Sequence, residues 1–126
     1  MEKSVKKILI VDDQERIREL VRVTLDGTGD YQIFEAENGE QAVELAGKEL
    51  PDLILMDVSM PGGMDGLKAT RAIKGNSSTQ GIYIILLTAK GQASDIEEGK
   101  TAGADSYFVK PFSPLELIRC IESIFD

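Results

Sequence analysis

Four apolar runs that each end in a polar side chain constrain the fold of this chain more than any other feature. They are residues 8–11 before Asp12 and Asp13, residues 53–56 before Asp57, residues 82–87 before Thr88, and residues 107–109 before Lys110. Short runs rich in Ile, Leu and Val indicate strands that are buried on both faces of a parallel sheet. Parallel strands present their carboxyl ends at one edge of an open α/β sheet, and ligands bind there. The sequence therefore predicts a site that brings together carboxylates, a hydroxyl and an ammonium group.

Strand and helix signals alternate five times along the 126 residues. The predicted strands are 7–11, 31–36, 53–57, 82–87 and 106–109, and the predicted helices are 14–25, 39–48, 66–74, 92–101 and 114–125. Such alternation implies parallel strands, right-handed crossovers and helices on both faces of the sheet. We expect residues 1–126 to form a single α/β domain with a doubly wound five-stranded parallel sheet in the order 2-1-3-4-5, as in flavodoxin-like folds.

Local signals refine three of the helices. The inward face of the first helix is predicted to consist of Ile17, Leu20, Val21, Thr24 and Leu25, and Gly27 and Gly29 are predicted to stop it. Asp65 is expected to cap the third helix, and Ser113 to cap the fifth, with Pro114 in its first turn.

The fourth and fifth helices are unusual in opposite ways. The fourth has Gly91 and Gly99 at or inside its ends, which predicts a marginal and mobile helix, since glycine costs about 1 kcal/mol inside a helix. The fifth has more apolar residues than one buried stripe can hold, namely Leu115, Leu117, Ile118, Ile121, Ile124 and Phe125. Two interpretations stay open, a partly exposed apolar face and a surface that binds a partner or a second copy.

Composition excludes several kinds of function. The net charge of −8 argues against direct nucleic-acid binding, because that affinity comes from clustered Lys and Arg. The absence of histidine excludes imidazole bases, Ser-His-Asp triads and histidine-bound zinc. The apolar runs are too short to cross a membrane and the first residues have no apolar signal region, so we expect a cytoplasmic protein without a membrane partner.

The single cysteine, Cys120, lies within the predicted fifth helix and is expected to be a buried structural thiol.

Three carboxylates at one sheet edge call for a cation. Between the first and third strands, Asp12, Asp13 and Asp57 are expected to converge. Two unit charges about 4 Å apart repel by roughly 4 kcal/mol at an effective dielectric constant near 20. Oxygen ligands without sulfur or imidazole favour Mg²⁺ or Mn²⁺, and Lys110 adds one more positive charge.

Several segments of the chain resemble the receiver domain of two-component response regulators. They are ILIVDD at 8–13, LILMD at 53–57, MPG and MDG within 60–66, LLTA at 86–89, AGAD at 102–105 and VKPF at 109–112. The resemblance extends over nearly the whole chain. It implies that Asp57 is the phosphoacceptor, that Asp13, Asp57 and the backbone carbonyl of Ser59 bind Mg²⁺ or Mn²⁺, and that Asp12 acts through metal-bound water.

The same resemblance implies roles for residues near the ends of the fourth and fifth strands. Thr88 is expected to hydrogen-bond the phosphoryl group and Lys110 to pair with it, while backbone N–H groups near Ser59 and Ala89 contact its oxygens. Tyr107 is the implied switch aromatic. The Lys110-Pro111 peptide bond is implied to be cis.

The implied function is a phosphorylation-dependent signalling switch rather than an enzyme, because it catalyses only its own phosphorylation and dephosphorylation. A carboxylate is a competent nucleophile, and the absence of histidine places the donor imidazole on another protein. The implied partners are a sensor histidine kinase or histidine phosphotransfer protein, a downstream effector or fused output domain, and a second copy after phosphorylation. We expect the face formed by helix 4, strand 5 and helix 5 to be the output surface.

One departure and two alternatives accompany this interpretation. The segment 61–64 has one residue more than the family pattern, which predicts either a bulged working loop or altered partner recognition and dephosphorylation. Ser59 and Lys90 are positions where the family tunes phosphate lifetime.

Two other functions are considered for this fold class. An aspartate-nucleophile phosphohydrolase would need a second acid at the position of Ser59. A flavodoxin-like cofactor module would need a phosphate-binding loop after the first strand, where Asp12 and Asp13 would repel a phosphate.

Overall fold

The structure, a computed structural model, describes residues 5–27, 30–89 and 93–126. These residues form the strands β1 Lys6–Val11, β2 Tyr31–Ala36, β3 Leu53–Asp57, β4 Tyr83–Ala89 and β5 Ser106–Lys110. They also form the helices α1 Glu15–Asp26, α2 Gly39–Glu49, α3 Gly66–Lys74, α4 Ala93–Ala102 and α5 Pro114–Phe125. The strands are parallel and lie in the order β2-β1-β3-β4-β5, which confirms the predicted fold class and topology.

The bounds of β2, β3, α3 and α5 are as predicted, and the other elements differ from the predicted bounds by one or two residues at an end. β4 starts at Tyr83 and continues to Ala89, and β5 includes Lys110, because Thr88 pairs with Val109 and Ala89 pairs with Lys110. Apolar runs cannot show this extension, since backbone pairing continues wherever the neighbouring strand offers partners. The predicted first residue of the fourth helix, the stop signal Gly29, and Lys90 and Gly91 lie outside the described residues.

The core consists of two apolar clusters, one on each face of the sheet. Successive residues of a strand point to opposite faces, so every central strand contributes to both clusters. One cluster includes Leu9, Val11, Ile54, Met56 and Leu86, together with residues of α2 and α3. The other includes Ile8, Ile10, Leu53, Leu55 and Ile85, together with residues of α1 and α5. Burial on both faces fixes the strands whose carboxyl ends hold the polar residues.

The inward face of α1 corrects one part of the sequence prediction. Val21 and Leu25 are buried as expected, and Ile17 and Thr24 are partly buried. The prediction for Leu20 is wrong, because its side chain is 44% exposed. Arg18 is buried on this helix instead.

The apolar surplus of α5 mostly packs into the core. Leu117, Ile118 and Ile121 are buried, and Ile124 and Phe125 pack partly buried against the same cluster. Leu115 is exposed. Cys120 packs against this cluster too, and burial raises the pKa of its thiol, which disfavours the reactive thiolate.

Two predicted helix caps are present and set where the loops of the site end. The Asp65 carboxylate accepts a hydrogen bond from the backbone N–H of Lys68 at 2.9 Å, so α3 begins directly after it. The Ser113 hydroxyl accepts one from Glu116 N at 3.4 Å, and Pro114 is the first residue of α5. Both caps satisfy N–H groups that a helix start leaves free.

Candidate functional site

Three carboxylates meet at the carboxyl ends of β1 and β3. These strands are neighbours in the sheet, so Asp12, which follows β1, comes close to Asp57, the last residue of β3. Asp12 is fully buried and Asp57 is 5% exposed, whereas Asp13 is exposed. One carboxylate oxygen from each of the three residues lies within 4.8 Å of the other two. The geometry thus brings together the acids that the sequence placed at this edge.

Lys110 supplies an ammonium group to this acid cluster from the far edge of the sheet. It is the last residue of β5, and its side chain reaches across β4. Its Nζ lies 2.8 Å from Asp12 Oδ2 and 3.2 Å from Asp57 Oδ1. The peptide bond between Lys110 and Pro111 is cis.

Thr88 places a buried hydroxyl near the end of β4. Leu87 pairs with Asp57 across the two strands, and Thr88 is the next residue. The Thr88 side chain is buried, and within the described residues its Oγ1 has no hydrogen-bond partner. A buried polar atom without a partner costs about 1–3 kcal/mol. The hydroxyl is therefore available to a ligand that binds beside Asp57.

Burial and charge act together on the titration of the cluster. Burial, followed by the negative charge of Asp12, raises the pKa of Asp57 from 3.8 to about 6, although Lys110 and a hydrogen bond from the Ser59 backbone partly oppose this rise. Burial alone would lower the pKa of Lys110, but its hydrogen bond to Asp12 and the charge of Asp57 outweigh that effect and raise it. One ammonium group does not balance three carboxylates, so the site favours a further cation.

The loop between β3 and α3 contains the segment 61–64, which includes Gly62. The φ of +100° at Gly62 is a backbone conformation that favours glycine. The loop is held at both ends, because Val58 N donates to Leu87 O at 3.0 Å and Gly66 N donates to Val58 O at 2.9 Å. Ser59 is exposed beside Asp57. The effect of the longer segment on partner recognition and dephosphorylation stays a prediction.

The remaining predicted site residues lie around the cluster. Ala89 is exposed at the end of β4. Tyr107 is 44% exposed on β5 and borders a cavity of about 180 Å³ that Leu86, Ile96 and Gly99 also line. Lys90 lies outside the described residues.

Arg18 is a residue near the site that the sequence interpretation missed. Its Nη1 donates to the backbone carbonyl of Asp12 at 2.7 Å, and its Nε donates to Glu35 Oε1 at 3.0 Å. Arg18, Val21 and Leu25 share one helical face by their spacing, and this was the available signal. A charged residue on an inward face indicates a buried partner.

The family profile described as the response regulator receiver domain matches residues 8–122 of this chain. The chain belongs to the response regulator receiver domain family. The phosphate regulon transcriptional regulatory protein PhoB of Pseudomonas aeruginosa is 44% identical to this receiver domain over 119 residues, which cover 94% of the chain and 51% of that protein. The receiver domain spans about half the length of the curated relatives it matches.

Two solved structures are similar to this receiver domain over nearly its whole length. A putative response regulator from Chloroflexus aurantiacus has a TM-score of 0.89 and 36% identity, and the match covers 96% of this chain and 98% of that one. The receiver domain of the sensor histidine kinase PA1611 from Pseudomonas aeruginosa has a TM-score of 0.85 and 33% identity, over 95% and 97% of the two chains. That crystal structure has a magnesium ion coordinated in its active site cleft.

Receiver domains are regulatory parts of two-component systems, and this classification agrees with the acid cluster at the sheet edge. Among the described helices, none is both long enough and apolar enough to cross a membrane.

Proposed function

We propose that this receiver domain is a cytoplasmic phosphorylation switch in which Asp57 accepts a phosphoryl group from a phosphohistidine on a sensor kinase or phosphotransfer protein. The observation that carries the proposal is the position of the Asp57 carboxylate. It lies at a strand end, 3.2 Å from the Lys110 ammonium and beside two further acids. The 126 residues contain no histidine, so the donor imidazole lies outside this domain.

The donor set at this edge suits Mg²⁺ or Mn²⁺, because carboxylate and carbonyl oxygens are the ligands these ions prefer. We assign Asp13, Asp57 and the backbone carbonyl of Ser59 as direct ligands, and Asp12 as a ligand through water. When bound, the ion would offset the negative charge of the carboxylates and of the phosphoryl oxygens.

In the transfer step, a carboxylate oxygen of Asp57 attacks phosphorus in line with the donor nitrogen. The new P–O bond forms as the P–N bond breaks, and the imidazole leaves with the electron pair. Lys110 offsets charge on the transferred oxygens, and the Thr88 hydroxyl and the Ala89 backbone N–H donate to them. Burial of Asp57 and Thr88 keeps these groups in place before the donor arrives.

The proposed output surface is the face formed by α4, β5 and α5. Tyr107, Val109 and Leu115 are apolar or aromatic side chains on β5 and α5 that are exposed by 44%, 39% and 55%. A Thr88 hydroxyl drawn to the phosphoryl group would let Tyr107 turn into the cavity beside α4. The changed face then binds a downstream effector, a fused output domain or a second copy.

Intact-mass spectrometry after incubation with acetyl phosphate and Mg²⁺ tests the phosphoacceptor. We expect one added phosphoryl group on the wild type, none on Asp57→Ala, and one on the control Asp26→Asn, because Asp26 is exposed at the far end of α1. Equal labelling of Asp57→Ala would refute the assignment. Continuous release of phosphate would instead indicate a hydrolase, and a bound yellow chromophore a flavoprotein.

Amide hydrogen exchange with and without beryllofluoride, a phosphoryl mimic, tests the output surface. We expect altered exchange in β4, α4 and β5. Changes confined to α1 and α2 would contradict the proposed surface while leaving the phosphoacceptor assignment intact.

A further inference from the structure

We propose that Arg18 is a positioning residue for the acid cluster, which it orders through the backbone of Asp12. This inference rests on the proposed function, since it concerns the metal-binding and phosphoacceptor site. Arg18 lies on α1 and is 8% exposed, so its guanidinium has been removed from water. Burying a charge is costly unless it is paired, and its partners therefore matter.

The guanidinium of Arg18 joins the end of β1 to the end of β2. Its Nη1 donates to the Asp12 carbonyl oxygen at 2.7 Å, and its Nε donates to Glu35 Oε1 at 3.0 Å. Its Nη2 lies 3.9 Å from Glu37 Oε1. Two different atoms of the same planar group thus contact a backbone carbonyl and a carboxylate. The planar guanidinium group of arginine has several N–H donors in fixed directions and can make both contacts, whereas the single ammonium group of lysine cannot.

The carbonyl that Arg18 holds belongs to the peptide unit between Asp12 and Asp13. The N–H of Asp12 donates to Ala36 O at 3.1 Å, so β2 and Arg18 fix this acid from both sides. Asp12 Oδ1 also accepts a hydrogen bond from Gln14 N at 2.9 Å. A fixed peptide plane restricts where both neighbouring side chains can point. Arg18 therefore orders two of the three acids without touching either carboxylate.

Arg22 provides a matched control one turn further along α1. Its Nε lies 3.3 Å from Glu35 Oε2, so it shares the same acidic partner, and its side chain is 42% exposed. In the described part of the chain, the hydrogen bond to the Asp12 carbonyl comes from Arg18. Replacing either arginine with an uncharged residue therefore removes a positive charge beside Glu35. Among the described residues, only the replacement of Arg18 also removes the hydrogen bond to the Asp12 carbonyl.

The test compares Arg18→Met with Arg22→Met by nuclear magnetic resonance titration with Mg²⁺, following the backbone amides of residues 57 and 88. We expect Arg18→Met to raise the Mg²⁺ dissociation constant about 10-fold or more, as is typical when a partner of a metal ligand is removed. Arg22→Met should leave the constant unchanged. The phosphorylation rate with acetyl phosphate should fall in Arg18→Met at low Mg²⁺ and recover as Mg²⁺ is raised.

Equal dissociation constants for Arg18→Met and the wild type would overturn the inference, even if the variant were less stable in urea. Where Arg18→Met does not fold, Arg18→Lys serves in its place, because it keeps the charge but cannot make both contacts. A wild-type dissociation constant for folded Arg18→Lys would then overturn the inference. A wild type that neither binds Mg²⁺ nor takes up a phosphoryl group would instead refute the proposed function.

Discussion

In the metal-free protein, Asp57→Asn should raise the free energy of unfolding near pH 8. Burial and the neighbouring Asp12 raise the pKa of Asp57 from 3.8 to about 6, so the folded protein binds this proton more tightly than the unfolded chain does. The resulting stability is fully present below pH 3.8 and is lost as the pH rises through about 6. A shift of this size corresponds to about 3 kcal/mol. Asparagine keeps the shape of the side chain and removes the charge.

Urea denaturation at a series of pH values from about 4 to about 8, with a chelator present, measures the effect. The variant and the wild type should be nearly equally stable at the acid end, and their difference should grow until it levels off above the pKa of Asp57. A difference of about 3 kcal/mol is a large part of the 5–15 kcal/mol of a typical domain. Glu44→Gln is the control for the change in net charge, because it removes one carboxylate at an exposed position on α2.

The reasoning would be refuted if Asp57→Asn were no more stable than the wild type at pH 8. It would also be refuted if the difference were the same at both ends of the pH range, since a constant difference would come from packing and not from ionisation. Added Mg²⁺ should narrow the difference at pH 8, because a ligand of the folded state stabilises the wild type by mass action.

Four further substitutions test the site and its surroundings. Asp13→Ala should lose most of the Mg²⁺-dependent rise in melting temperature seen in the wild type, and an equal rise in both proteins would show that Asp13 is no ligand. Gly39→Ala should lower the free energy of unfolding in urea by about 1–3 kcal/mol, because its Cβ would overlap the carbonyl oxygen of Met64. Gly47→Ala, on the same helix with open space around its Cβ, should raise it by about 1 kcal/mol, and equal effects at the two glycines would contradict this steric argument. Leu50→Gly should stabilise the protein by about 1 kcal/mol, because Leu50 is exposed and has a left-handed φ of 49°; a loss in urea denaturation would show that its side chain matters more than its backbone.

The central strands were predictable because each is an apolar run that is followed by a polar side chain. The exact ends of the strands were not, because they depend on pairing with the neighbouring strand. The strand order then determined which polar residues meet, so the approach of Asp12, Asp57 and Lys110 could be expected before any coordinates were known.

Details that depend on distant partners could not be predicted from local sequence. Arg18 shares a helical face with Val21 and Leu25, but the partner that allows its burial, Glu35, lies 17 residues away on β2 and cannot be found from spacing. Leu20 is exposed, although its spacing fits the apolar stripe. Phe125 of α5 packs near Tyr31 of β2, with ring centroids 6.1 Å apart. Part of the apolar surplus of α5 is therefore buried by a strand that is distant in sequence.

The span between Lys110 and Asp12, 98 residues along the chain, has a consequence for biosynthesis. A ribosome releases the three acids long before it releases β5, so an unfinished chain holds the phosphoacceptor without the ammonium group beside it. Under the proposed function, such a chain lacks a group that offsets charge during transfer. Under that proposal, competence to receive a signal is acquired only once β5 has left the ribosome and packed beside β4.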